Sequence, residues 1–146
     1  MEIRTFVADD TEALVSLWRS AGLVHPGNDP YLDIERKVAD SPWGLVVATD
    51  GPAVGDRPDP IVGSVMVGYD GHRGWINYLA THPEHLRRGI ARALAVHARG
   101  LLVARGCPKI NLQVRDGNDD AVRFYEALGY VDDQVTSFGL RLVIDD

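Results

Sequence analysis

A single cysteine in 146 residues, Cys107, leaves this chain without an internal disulfide, and no Cys cluster points to zinc. That scarcity fits a reducing, cytoplasmic setting. No apolar run reaches the roughly 20 residues needed to span a bilayer, so no membrane partner is expected. Met1-Glu2-Ile3-Arg4 is followed by no signal-peptide core. Positive charge is also in deficit, with 15 Lys and Arg against 21 Asp and Glu and a formal net charge of −6. A general nucleic-acid binder needs clustered cations to neutralise phosphates, and that class is set aside. The acidic balance serves solubility, and it would also steer a cationic substrate such as an amine. Three catalytic signatures are missing as well. There is no Gly-Lys-Ser/Thr of a Walker loop, no second and third glycine of a dinucleotide fingerprint, and no Gly-x-Ser-x-Gly elbow of a serine hydrolase.

What is present suits one domain over residues 1–146, since 45% of the residues are hydrophobic and 25% charged. Ile3 to Val7 reads as a strand. Asp9 or Asp10 can cap a helix that places Leu14, Leu17, Trp18 and Ala21 on one face and stops at Gly22. After a turn-rich stretch from Leu23 to Asn28, Asp29-Pro30 opens a second helix with Tyr31, Ile34 and Val38 on its apolar side. Trp43 to Ala48 reads as a buried strand, Asp50 to Pro60 as an irregular hairpin connection, and Ile61 to Tyr69 and Trp75 to Thr81 as a hairpin about Asp70-Gly71. A long helix follows Gly89, with Ile90, Leu94, Ala98, Leu101 and Leu102 in one stripe, and Gly106 and Pro108 end it. Ile110 to Val114 is the next strand. Asn118 caps a last helix through Leu128, in which Ala121, Phe124 and Leu128 face the core, and Tyr130 to Thr136 and Phe138 to Ile144 read as two closing strands. The order β-α-α-β-β-β-α-β-α-β-β predicts an α/β (α+β) mixed sheet with helices on both faces. The strand-helix-strand unit from Trp75 to Val114 predicts a parallel crossover.

Two stretches carry chemistry. In Leu86-Arg87-Arg88-Gly89-Ile90-Ala91-Arg92, a basic loop with a glycine leads from a strand into a helix N-terminus. Free backbone N–H groups there, with arginines beside them, form a seat for a phosphate or pyrophosphate. A plain helix start with solvated arginines has the same sequence. The second stretch is Asn118 to Tyr130, with Phe124-Tyr125-Glu126 and Leu128-Gly129-Tyr130. Tyr125 lies off the apolar face, where it could protonate a leaving thiolate or simply pack.

Together these stretches, and the order of the elements over nearly the whole chain, resemble the GNAT superfamily of acetyl-CoA-dependent N-acetyltransferases. There is a weaker likeness to small bacterial alanine N-acetyltransferases of ribosomal proteins. The family's pyrophosphate motif Gln/Arg-x-x-Gly-x-Gly/Ala is similar to Leu86-Arg87-Arg88-Gly89-Ile90-Ala91, with Leu86 departing at its first position. The resemblance implies acetyl-CoA as cosubstrate and a primary amine on a small molecule or peptide as acceptor. It implies backbone contacts from Leu79 and Thr81 to the pantetheine arm, and a strand that splays from Ile110–Val114 to admit it. An oxyanion donor is implied near Leu79 and Ala80. Backbone groups from Arg87 through Gly89 and Ile90 to Ala91 would hold the pyrophosphate, with Arg88 and Arg92 adding charge. Asn118 would touch the pantetheine and Tyr125 would be the general acid.

The base is not named by this pattern, because Trp75 to Thr81 contains no acid. Ordered water near Asn77 or Tyr78 is one route, and Asp29, Glu35, Asp70 and His72 are others, although each suits a surface or capping role. The acceptor is expected among the first two helices, their loop and the last hairpin, within range of Trp18, Asn28, Asp29, Tyr31 and Tyr69. His82, Glu84 and His85 lack the spacing and the third ligand of a metal site. Cys107, beside Pro108, reads as a small buried residue. A non-catalytic acyl-CoA sensor of the same fold and a scaffold without cofactor are the rival readings. The oligomeric state is open, and a homodimer is compatible.

Overall fold

The computed structural model describes residues 1–51 and 60–145. Five strands form one mixed sheet in the order β1 (Glu2–Thr5), β2 (Leu45–Thr49), β3 (Ile61–Tyr69), β4 (Gly74–Thr81) and β5 (Ile110–Leu112). The first four pair antiparallel, and β5 joins β4 in parallel after a crossover through a helix. Strand β2 explains the layering, because all five of its residues are buried. Its odd and even side chains must both be covered, so helices are needed on both faces.

One face packs Val46, Ala48, Val62, Val65 and Ile76 under Ile90, Leu94, Ala98 and Leu102 of α3 (Ile90–Ala104). The other packs Leu45, Val47, Ile61 and Ala80 under Leu14, Leu17 and Trp18 of α1 (Thr11–Ser20) and Ile34 of α2 (Pro30–Asp40). The 3.6-residue stripes read for α1 and α3 meet the sheet, whereas of the α2 stripe only Ile34 is buried and Val38 is exposed. Helix α3 comes close to β3 because Gly63 has no side chain. A Cβ there would stand 2.7 Å from Ile90 Cγ2 and 2.8 Å from Leu94 Cδ1.

The local punctuation holds at most boundaries. Gly22 at φ 74° closes α1, Asp29 caps α2 by accepting from Tyr31 N–H at 2.8 Å, and Gly106 at φ 74° follows α3. Several edges move. Strand β1 stops at Thr5 because Val7 N–H donates to Asp10 Oδ2 at 2.9 Å and starts a turn. Asp10 does not cap α1, since its carboxylate is taken by that N–H and by Arg4 at 2.8 and 2.9 Å. Trp43 lies in the one-turn 3-10 helix Pro42–Gly44 and not in β2. The ends of the Asp50–Pro60 connection meet through Asp50 N–H and Pro60 O at 3.1 Å, and residues 52–59 lie outside the described ones.

The C-terminal part departs most. Helix α4 (Asp119–Ala127) forms with Asn118 as its cap, but none of its residues is buried, so Ala121 and Phe124 do not enter the core as expected. The two closing strands, Tyr130–Thr136 and Phe138–Ile144, are absent. Gln134 takes φ 56°, which breaks an extended run. Among the described residues this segment makes one backbone–backbone hydrogen bond beyond Tyr130, from Asp145 N to Gly27 O at 3.1 Å. Alternating apolar residues specify a strand only where a sheet edge lies alongside to pair them.

Candidate active site

The site is built where the sheet opens. Strand β5 pairs with β4 only from Gly74↔Ile110 to Ile76↔Leu112, so the C-terminal half of β4, including Leu79, Ala80 and Thr81, has no neighbour on that side. The expected strand Ile110–Val114 is thus shorter, which leaves the expected splay. In the same half, the β3 register jumps from Ser64↔Ala80 to Met66↔Asn77, which makes a bulge at Tyr78 and Leu79.

Tyr78 pays for this bulge with a left-handed backbone, φ 49°, rare for a large side chain. Its surroundings hold it. The ring stacks on Trp18 at 3.9 Å between centroids, and Ser64 Oγ donates to Tyr78 O at 2.9 Å while accepting from Trp18 Nε1 at 2.9 Å. Tyr78 Oη donates to Asp33 Oδ2 at 2.5 Å. Burial, then that carboxylate, pushes the Tyr78 phenol above its ordinary range. Sequence reasoning missed Ser64 and Asp33. Asp33 is four residues beyond the α2 cap Asp29, a helical spacing that marks one face but not what the face meets.

Beyond Thr81 the chain makes a short turn (Pro83–His85) and passes Leu86 and Arg87 into α3. Arg87 at φ 63° and Gly89 at φ 78° are both left-handed. The first intrahelical bond is Ala93 N to Gly89 O at 3.0 Å, so the N–H groups of Ile90, Ala91 and Arg92 precede any helical acceptor. No acidic residue stands in the first turn of α3. These groups border a hollow of about 220 Å³ lined by Thr81, Arg87, Gly89, Ile90, Arg92 and, from α4, Phe124. Ala91, His85 and Leu86 also line it, and the Leu86 side chain is exposed. Phe124 therefore serves this hollow, a placement that its apolar character concealed. Arg88 is exposed beside it. A second hollow, of about 320 Å³, lies between α3 and Leu128–Tyr130 with Ile110 of β5 in its wall, and both hollows are lined mainly by apolar atoms.

The remaining expected residues divide. Asn118 Oδ1 accepts from Ala121 N at 3.2 Å, so it caps α4 as read. Tyr125 packs edge-on to Phe124 at 5.1 Å and Tyr130 at 5.4 Å, and its phenol is pushed up to about 12 by burial and then by Tyr130. A tyrosine so held is protonated at any working pH. Trp18 is fully buried and belongs to the core. Asn28 accepts from Arg141, and Tyr31 Oη donates to Glu12 at 2.9 Å. Tyr69, Asp70 and His72 sit at the hairpin end of β3 and β4, opposite Thr81. Asp70 there accepts the His72 and Arg73 N–H groups at 2.8 and 2.7 Å, and Glu35 is exposed on α2. Apart from Trp18, which stacks on Tyr78 from beneath the sheet, none of these stands at the bulge.

Among the described residues no three His, Cys, Asp or Glu side chains group as metal ligands. His82 Nδ1 accepts from Glu84 N at 3.1 Å and His85 Nε2 lies 3.3 Å from Asp50. Cys107 Sγ donates to Lys109 O at 3.3 Å. No described helix is long and apolar enough to cross a membrane.

Residues 11–130 match the model of the acetyltransferase (GNAT) family. An acetyltransferase of Sodalis glossinidius is 47% identical over 146 residues, covering 99% of this chain and 98% of that one. Among solved structures, the NatC complex bound to Gag peptide and CoA is similar with a TM-score of 0.73 at 23% identity, over 90% of this chain and 86% of that one. The ribosomal-protein-S18-alanine N-acetyltransferase of Escherichia coli is similar with a TM-score of 0.71 at 20% identity, over 88% and 76%. At these identities the two structures speak for the fold.

Proposed function

The chain belongs to the GNAT acetyltransferase family, and we propose that it moves the acetyl group of acetyl-CoA to a primary amine by direct attack. The observation that supports this reading is the joint between the splayed end of β4 and the start of α3, whose first three amides lack a helical acceptor. An elongated cosubstrate with a pyrophosphate at one end and a thioester at the other fits such a joint. Its loop is rich in N–H donors and its strand end offers unpaired backbone.

Acetyl-CoA supplies an activated thioester: the amine nitrogen bonds to the carbonyl carbon, the C–S bond breaks, and the sulfur leaves with the electron pair. The protein's work is positioning and proton traffic. The Ile90, Ala91 and Arg92 amides and the positive end of α3 hold the pyrophosphate, with Arg88 and Arg92 nearby. The backbone of Leu79 and Thr81 aligns the pantetheine, and an N–H at the bulge near Leu79 and Ala80 faces the carbonyl oxygen. Tyr125 Oη gives its proton to the thiolate. The amine attacks in its neutral form. Asp33, hydrogen-bonded by Tyr78 at the bulge, provides the carboxylate that β4 lacks and takes the proton the nitrogen sheds as the amide forms. Exchange with solvent returns Asp33 to its carboxylate and Tyr125 to its phenol. Leu86 removes one polar side chain from the loop and leaves its backbone donors in place.

A binding assay tests the seat. Acetyl-CoA should raise the melting temperature progressively with the logarithm of its concentration, by about 2.7 kcal/mol of added stability at a hundred times Kd. No shift at millimolar ligand contradicts the proposal. Since β4 lacks an acid, a non-catalytic acyl-CoA sensor is the second reading, and it shares the melting shift without thiol release.

A further inference from the structure

Residues 131–145 form a tail, broken once by left-handed Gln134, that is out of keeping with a lone chain. Phe138 is 93% exposed, Leu142 87%, Leu140 86%, Val131 82% and Val135 80%. Phe138, Leu140, Leu142 and Ile144 alternate, so one face of the tail is apolar, as in a half-buried strand. Such an edge is an aggregation template unless something pairs with it.

The tail is nevertheless tied in place. Lys109 bonds Asp133 at 2.8 Å and Gln113 Nε2 donates to Ser137 Oγ. Further on, Arg141 donates to Gly27 O and Asn28 Oδ1, both at 2.9 Å. Arg36 holds Asp145 through two bonds of 3.0 and 2.8 Å, and Asp29 N–H donates to the same carboxylate at 3.1 Å. The pairs 109–133 and 113–137 advance together, so the tail runs beside β5 in the same direction. Side chains join the two, and no backbone bond does among the described residues. Strand β5 has no ladder partner on its outer edge.

A strand laid antiparallel between β5 and the tail would pair with both. We propose that this strand is the tail of a second copy of the chain. A two-fold axis perpendicular to the sheet reverses the partner's tail, giving it the required direction, and keeps both apolar faces on one side. By the same operation each tail lies between the partner's β5 and the partner's tail. The sheet then runs unbroken from β1 of one copy to β1 of the other, with order β5, partner tail, own tail, partner β5 at the centre. The clasp of Arg36 and Arg141 keeps each tail extended and ready to pair.

Sedimentation and amide hydrogen exchange on the full chain test this. At micromolar concentration the mass should be twice the 16.0 kDa chain, and the amides of residues 132–143 should exchange slowly. Leu140→Lys with Leu142→Lys should halve the mass while far-UV dichroism is kept. A wild-type monomer overturns the proposal, whether its tail amides are fast or slow, since slow ones mean pairing within one chain. A dimer with fast tail amides, or one that survives the double substitution, places the interface elsewhere and also overturns it. If the double variant does not fold, exchange on the wild type still decides.

Discussion

The two halves of this site are made differently. The first half, β1–β4 with α1, α2 and α3, owns every residue of both core clusters, and its special geometry is locked by neighbours. Tyr78 is held left-handed by Trp18, Ser64 and Asp33 together, and Gly63 admits α3 so that its N-terminus meets the end of β4. The second half, β5 with α4 and the tail, has no buried residue, although it supplies Asn118, Phe124 and Tyr125. Proximity of the α3 N-terminus, the proposed phosphate seat, to the bulge is therefore fixed by folding. The approach of Tyr125 is set by a lightly packed helix with no buried residue. Elements that take part in binding are drawn from the less stable end of a fold.

The contrast can be broken most forcefully in the core. Leu94→Ala in α3 should cost about 2–5 kcal/mol of stability, whereas the exposed Val122→Ala in α4 should stay within about 0.5 kcal/mol. Thermal melts of both variants check this, and equal losses would erase the distinction between the halves. Tyr125→Phe acts on chemistry alone and should lower kcat about 100-fold with little change in affinity for acetyl-CoA. Single-turnover kinetics, with chemistry shown to limit the rate, read this split. Because burial pushes the Tyr125 phenol up to about 12, the wild-type rate should show no alkaline loss from this group below pH 10.

Arg88→Glu should weaken acetyl-CoA about tenfold at low salt, and titrations at rising ionic strength should narrow the gap as charge is screened. The smallest effect concerns pH. Burial raises the Asp10 carboxyl, but hydrogen bonds from Arg4 and Val7 and the charge of Arg4 outweigh it and leave the group below its ordinary value. The stabilisation is thus complete above the usual carboxylate range and is lost as pH falls through the lowered folded value. Arg4→Ala should flatten that acid limb in pH-dependent melts.

The same contrast explains what could be read from the chain. Stripes such as Leu14, Leu17 and Trp18 or Ile90, Leu94 and Ala98 reported burial correctly because a continuous sheet covers them. The helix start at Gly89 was legible because a left-handed glycine acts through local backbone. The Tyr78 bulge was not, since it depends on contacts between Ser64, Trp18 and Asp33, which are distant in sequence. Phe124 read as core and lines the hollow, because apolar character does not distinguish a core from a ligand wall. The closing strands failed for a related reason: Phe138, Leu140 and Ile144 have the strand pattern, but the tail is joined to the segment of β5 by side chains and not by a backbone ladder.

The most direct test of acetyl transfer is thiol release from acetyl-CoA, measured across peptide N-termini, lysine, polyamines, aminoglycosides and small amino compounds, with mass spectrometry of the products. At least one amine should release thiol in step with a product heavier by one acetyl group, and Tyr125→Phe should suppress both. Saturable acetyl-CoA binding without acetylated product for any amine would contradict the transferase account and leave the sensor reading.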